Sequence, residues 1–316
     1  MTDFFDTLAF SFSITGPIFV VLALGVILNR QGMINDNFVE TGSKLVFNIT
    51  LPLLLFINII KTDLDQAANL PLIGVGLVGT VLAYLLLELT AKHRVQPASD
   101  CGVVVQGGFR SNMGIIGLAY CANAYGNEGL VTASLYLALV TILFNVLSII
   151  TLNRSLQRDT GLSGTLLGIV RNPLILGILL ALPVAWANIE LPQVFIRTGE
   201  YFAHMTLPLA LLCTGASLDF SALRHNMSNA LIAALFKLGL VPLMITVGGI
   251  WVGFRGMELG VLLLMASAPT SAASYVMVRS MGGNTALAAN IIVITTLGSL
   301  LTTSISVTLL KGLGLL

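Results

Sequence analysis

The chain has 316 residues, 56% of them hydrophobic and 9% charged, whereas a soluble domain carries about 25% charged residues. At about 20 apolar residues per spanning helix, this length accommodates about ten membrane helices and excludes a large extramembrane enzyme module. Fifteen Lys and Arg against 14 Asp and Glu leave a formal net charge of +1, so no global field points to nucleic acid.

Residues 1–7 carry no Lys or Arg, and the apolar run after them lacks a clear small-residue cleavage site. They read as the start of a retained first span. Long apolar windows then predict ten spans at about 8–29, 39–60, 70–89, 98–124, 129–152, 165–187, 194–218, 229–251, 257–281 and 286–309. These runs far exceed the roughly 9–11 alternating residues of a membrane β-strand, so an all-α integral membrane fold is expected. Cys101, Cys121 and Cys213 are scattered in apolar segments without a CxxC pair, which supports neither a disulfide framework nor a zinc site.

With the N-terminus outside, the inner loops hold Arg30, Lys92, Arg94, Arg154, Arg158, Arg224 and Arg279, and the outer loops only Lys61, Arg197, Arg255 and Lys311. This excess favours both termini outside by the positive-inside rule. Three more long cations, Lys44, Arg171 and Lys237, fall in the inner third of their spans, where snorkelling to the headgroups is the ordinary reading. Lys237 is the deepest and the first candidate for an exception.

Three matches share one offset. Thr50-Leu51-Pro52-Leu53 recurs 156 residues later as Thr206-Leu207-Pro208-Leu209, and Asp63 with Asp219 and Gly126 with Gly282 keep the same spacing. A duplicated unit is implied, with residues 1–153 and 165–316 as the two halves and 154–164 as an inner-side linker. Five spans per half is an odd number, so the second copy is inverted, as in secondary transporters whose sites lie near the midplane where discontinuous helices meet.

In span three, Gly74, Gly76 and Gly79 spell GxGxxG, but no strand precedes them and no βαβ unit can surround them. They read as a close-packing face, as do Gly249 and Gly253, which make a GxxxG. Span four carries Gln106-Gly107-Gly108-Phe109-Arg110-Ser111-Asn112 at mid-depth, where an arginine costs about 2.5–3.5 kcal/mol on insertion scales and faces a cavity or a partner. The stretch at the same offset in span nine contains Pro269, Thr270 and Ser271. Pro269 should break the helix and start the next half-helix, aiming the amides of Thr270 and Ser271 and a partial positive charge at an anion. Together with the Asn112 amide and the Arg110 charge, they make a pocket for a small carboxylate. The plainer alternative is that Pro269 only kinks a span while Arg110 snorkels or pairs with a carboxylate.

The string from Phe109 to Leu118, ending in Tyr125-Gly126, resembles the fourth-span motif of the auxin efflux carrier family, which includes plant PIN carriers and bacterial malonate-transporter-like proteins. Ala268-Pro269-Thr270-Ser271-Ala272-Ala273-Ser274-Tyr275, followed by Gly282-Gly283-Asn284, resembles its ninth-span motif. The resemblance covers essentially the whole chain. It implies ten helices in two inverted five-helix repeats, a scaffold and a transport domain, and substrate at the crossing of broken helices four and nine, where Asn112 matches the asparagine that binds substrate in PIN carriers. Ala119 stands where the family commonly has proline, so a break in span four would rest on Gly107, Gly108, Gly114 and Gly117. The long hydrophilic central loop of plant relatives is absent.

Glu200 and His204 lie four apart on one face of span seven and are candidates for a proton-coupling pair. Glu200 could equally reach the outer interface while His204 bonds a neighbouring helix. Asn48 and Asn145 are candidates to line the cavity, with interhelical hydrogen bonding as the default. No HExxH, GxSxG or Walker A pattern is present, so neither catalysis nor a cofactor or metal is expected. The expected function is a cell-membrane secondary transporter of a small organic anion, malonate-like or auxin-like. A sodium-coupled organic-anion symporter resembling the bile acid symporters is the alternative. Expected partners are the carboxylate, a proton or sodium as coupling ion and the lipid bilayer, with a homodimer left open and no nucleic acid.

Overall fold

The computed structural model describes residues 2–61, 69–157, 173–187, 189–218, 220 and 226–316. Asp63, Asp219, Arg158, Asp159, Arg171, Arg224 and most of the 154–164 linker lie outside the described residues. The described residues form helices and no strand, in the order α1 Thr2–Arg30, α2 Asp36–Ile60, α3 Leu70–Arg94, α4 Cys101–Phe109, α5 Met113–Ser155, α6 Pro173–Trp186, α7 Gln193–Ala216, α8 Met227–Val252, α9 Gly256–Ser267, α10 Ala272–Ser280 and α11 Thr285–Gly312. Six of them, α1, α2, α3, α5, α8 and α11, are long and apolar enough to cross a membrane.

Local chemistry sets the ends. Asn35, Asn69 and Asn284 each accept a hydrogen bond from the amide three residues on, at 2.9, 3.0 and 3.0 Å, and so cap α2, α3 and α11. Gly253 takes φ 103° and closes α8. Its role is therefore helix termination, while Gly249 packs: a Cβ there would lie 2.8 Å from Leu262 Cδ1. Of the span-three glycines, Gly76 faces Tyr136 and Gly79 faces Ile245, whereas Gly74 faces open space. Gly126, at φ 59° and ψ −141°, bends α5, and Gly282, at φ 69°, turns the chain between α10 and α11.

Two prolines leave the same mark. Pro52 and Pro242 lack the N–H that would bond the carbonyl four residues back, and the helix rewinds as a π-turn, Val46–Thr50 in α2 and Phe236–Leu240 in α8. The second residue of each turn, Phe47 and Lys237, has a role at the site described below.

Helices α1, α2, α6 and α7 pack together, with α1 along α7 and α2 along α6. Helices α3, α4, α5, α8, α9 and α11 form a second group. The groups meet where α1 runs along α11 and where α2 and α6 touch α5. Polar links at this seam are Thr15 Oγ1 to Ser304 Oγ at 3.0 Å and Asn123 Nδ2 donating to Ile14 O at 2.9 Å. Val78, Val81, Leu82 and Leu85 on α3 are exposed, as a lipid-facing helix side requires.

Candidate functional site

Two stretches of non-helical backbone face each other inside the second helix group. Helix α4 stops at Phe109, Arg110 turns to ψ 96° and Asn112 to ψ 60°, and helix resumes at Met113. Helix α9 stops at Ser267, Ala268 is extended at ψ 138°, and α10 starts at Ala272 with Ser271 Oγ accepting from the Ala273 amide at 3.3 Å. Pro269 explains the second stop, since it has no N–H and disfavours helix at the residue before it. No proline sits in the first. Nor do its glycines sit in the gap: Gly107, Gly108 and Gly117 let Ile291, Leu87 and Met265 approach, so that an added Cβ would come within 2.8, 2.8 and 2.9 Å of them. The expectation that glycines carry the interruption in span four is corrected. Residues 110–112 are held extended by hydrogen bonds from the other stretch.

Ser111 and Thr270 form an antiparallel bridge. The Asn112 amide donates to Pro269 O at 2.7 Å and the Ser271 amide to Arg110 O at 3.0 Å. The hydroxyls cross in the same sense, Thr270 Oγ1 donating to Gly107 O at 2.6 Å and Ser111 Oγ to Ala266 O at 3.3 Å. Each bond maps onto its counterpart when residues 159 apart are exchanged (270 − 111, 266 − 107, 271 − 112). The expected register, which set Asn112 against Ala268, is thus shifted by three. The stretch from Ala272 to Gly282 is three residues shorter than that from Met113 to Gly126, which restores the offset of 156 at the glycines.

A cavity of about 360 Å³ opens beside the bridge. Arg110, Ser111, Asn112, Met113 and Gly114 line one side, with Ser271 and Ala273. Leu137, Thr141, Phe144 and Asn145 of α5 line another, and Phe47 of α2 and Pro173 of α6 complete it, so both helix groups contribute walls. Arg110 is 7% exposed. Its Nη2 donates to Asn145 Oδ1 at 2.7 Å, and its Nη1 to Ser148 Oγ at 3.2 Å and Met277 Sδ at 2.9 Å. Among the described residues no carboxylate pairs with it, so it neither snorkels nor forms an ion pair. The Asn112 side chain is 5% exposed, lines the cavity and has no hydrogen-bond partner among the described residues.

Other expectations are corrected. The amides of Thr270 and Ser271 are not free for an anion, because Thr270 N–H donates to Thr295 Oγ1 at 3.1 Å and Ser271 N–H to Arg110 O. Both donors are consumed in holding the crossing together. Glu200 pairs with Lys61, the residue that follows α2, and His204 is exposed. Neither lines the cavity. Asn48 is exposed and its Nδ2 donates to Lys44 O of its own helix at 2.8 Å, whereas Asn145 does line the cavity and orients Arg110. Lys44 stays outside, 2.6 Å from Glu40 Oε1.

Lys237 does not snorkel. It is 0% exposed, and its Nζ donates to Ser111 Oγ at 2.5 Å and Ala266 O at 2.7 Å, directly behind the bridge. The signal available in the sequence was a lysine five residues before a mid-span proline; the π-turn it predicts carries the ammonium to the crossing. Ser148 and Met277, which position Arg110, have no such signal.

The family model described as membrane transport protein matches residues 14–161 and 161–307. Among curated proteins, the chain is 27% identical over 269 residues to an uncharacterized transporter of Methanothermobacter thermautotrophicus, covering 80% of this chain and 83% of the relative. It is 24% identical over 296 residues to the uncharacterized transporter MJ1031 of Methanocaldococcus jannaschii, covering 90% and 94%. It is 22% identical over 271 residues to the uncharacterized transporter YfdV of Escherichia coli K12, covering 80% and 82%.

Proposed function

This chain belongs to the membrane transport protein family, that of the auxin efflux carriers, and we propose that it is a secondary transporter of a small organic anion that works by alternating access. The reading takes the ten predicted spans as two inverted five-helix units, 1–153 and 165–316. Spans four (α4 with the start of α5) and nine (α9 with α10) are the interrupted pair, in a cell membrane with both termini outside.

The observation that carries it is the Arg110 guanidinium, buried in a cavity walled by both helix groups beside the Asn112 amide, with no carboxylate paired to the one and no partner for the other among the described residues. A buried cation is stable only when paired or solvated, and a substrate carboxylate supplies that pairing. Asn112 and the free donors of Arg110 grip the anion and Ser271 offers a hydroxyl, while Ser111, whose hydroxyl is engaged with Ala266 O and Lys237, keeps the two stretches in register with Pro269 and Thr270. A volume of about 360 Å³ is at the small end of ligand pockets, which favours a malonate-sized acid over a larger amphipath. Because Phe47 and Pro173 come from the other helix group, sliding the groups past each other would expose the same anion to each face in turn.

The test is uptake of labelled malonate, and of a panel of small mono- and dicarboxylates, into liposomes containing the purified protein. Asn112→Ala is expected to abolish uptake while its elution profile in detergent stays that of the unaltered protein. Uptake unchanged in that variant would overturn the assignment of the site.

A further inference from the structure

The group that transport by Arg110 and Asn112 leaves unused is Lys237, and its place is chemically specific. Ala266 O is one of the last carbonyls of α9, an orphan acceptor at the negative end of a half-helix. In carriers built on discontinuous helices, carbonyls of this kind, together with nearby hydroxyls, hold the coupling cation. Here Ala266 O and Ser111 Oγ are both occupied by the Lys237 ammonium, at 2.7 and 2.5 Å. The lysine is fully buried, and no carboxylate among the described residues pairs with it.

Resting on the transport reading above, we propose that Lys237 is a built-in substitute for a coupling cation, so that this carrier moves its anion without sodium. The ammonium does at the crossing what a bound monovalent cation would do. It satisfies the α9 carbonyl, fixes the Ser111 hydroxyl and adds a positive charge behind the substrate carboxylate. A sodium ion using the same two oxygens would sit within a few ångströms of a like charge, so the two are mutually exclusive. Being covalently attached, the ammonium travels with the crossing in both directions and no ion gradient is spent on it. The sodium-coupled alternative is thereby disfavoured by a particular atom, and Lys237 acts as a positioning residue through Ser111 and Ala266.

The experiment compares purified protein and proteoliposomes in NaCl and in choline chloride of equal ionic strength. Unaltered protein is expected to show the same melting temperature and the same anion uptake in both salts, within about twofold. Lys237→Ala and Lys237→Gln remove the charge and open the two oxygens. They are expected to lose uptake in choline and to gain a sodium-specific rise in melting temperature of about 2 °C or more, with part of the uptake restored by sodium. A sodium-specific stabilisation of the unaltered protein, or uptake that needs sodium, overturns the proposal, as does a folded variant that gains no sodium effect. The melting comparison needs no substrate, so failure of every tested anion would strike the transport reading and leave this result standing. Should neither variant fold, the unaltered protein in the two salts decides alone.

Discussion

Residues 110–112 between α4 and α5, and 268–271 between α9 and α10, exchange the same hydrogen bonds, yet their side chains differ in what they leave over. In the second stretch every polar group that could face a ligand is engaged apart from the rim of Ser271: Thr270 N–H on Thr295, Thr270 Oγ1 on Gly107 O, Ser271 N–H on Arg110 O. In the first, the backbone is engaged equally, but the Asn112 side chain has no partner and Arg110 no paired acid among the described residues. On the proposed transport reading, a pair of interruptions related by exchange divides into a holding side, built on proline and hydroxyls, and a gripping side, built on an amide and a guanidinium. Symmetry supplies the geometry, and the departure from symmetry supplies the chemistry.

That division can be broken experimentally, and the largest effect should come from the gripping side. Arg110→Gln removes the charge while keeping hydrogen-bonding capacity, and a lost hydrogen bond to a charged group is worth about 1.5–3 kcal/mol, so the apparent KM for the transported anion should rise about 10- to 100-fold. Concentration dependence of uptake measures this, and an unchanged KM would remove Arg110 from the grip. Next comes the holding side. Thr270→Val keeps shape but strands Gly107 O, 2.6 Å from the lost hydroxyl, and should lower stability by about 1–3 kcal/mol. A thermal melt should show this, while anion affinity of the folded protein stays within about twofold of normal. A large affinity loss with little change in stability would mean that the division of labour is wrong. The smallest effects belong to the pair outside the cavity: Glu200→Gln and His204→Ala should each leave uptake, and its dependence on pH between 5 and 8, essentially unaltered, because Glu200 is tied to Lys61 and His204 is exposed. A flattened pH profile in either variant would return proton coupling to α7.

Much of this site was legible before any coordinates. Pro269 marks one helix stop by a local steric rule, and Arg110 and Asn112 stand out because a polar cluster at mid-depth is expensive unless it faces something. Local rules could not show that Arg110–Asn112 would be extended without a proline or a glycine in the gap, since that conformation is held by bonds to residues nearly half the chain away. The same non-local bonding used up the amides of Thr270 and Ser271, which local helix-end reasoning left free. Depth along its span marks Lys237 as the exception to snorkelling, but where its ammonium goes is not legible for a related reason: the side of the helix on which a long cation leaves depends on the π-turn before Pro242 and on which acceptors wait there.

By itself, the sequence determined that this is a multi-spanning helical membrane protein with a repeated pattern and two polar interruptions, because hydrophobic length and the scarcity of charge act on each segment independently of its neighbours. Only the tertiary structure decided which polar groups are spent on each other and which remain for a ligand. Hydrogen bonds are exclusive, and whether a donor is free depends on the partner that folding brings within reach.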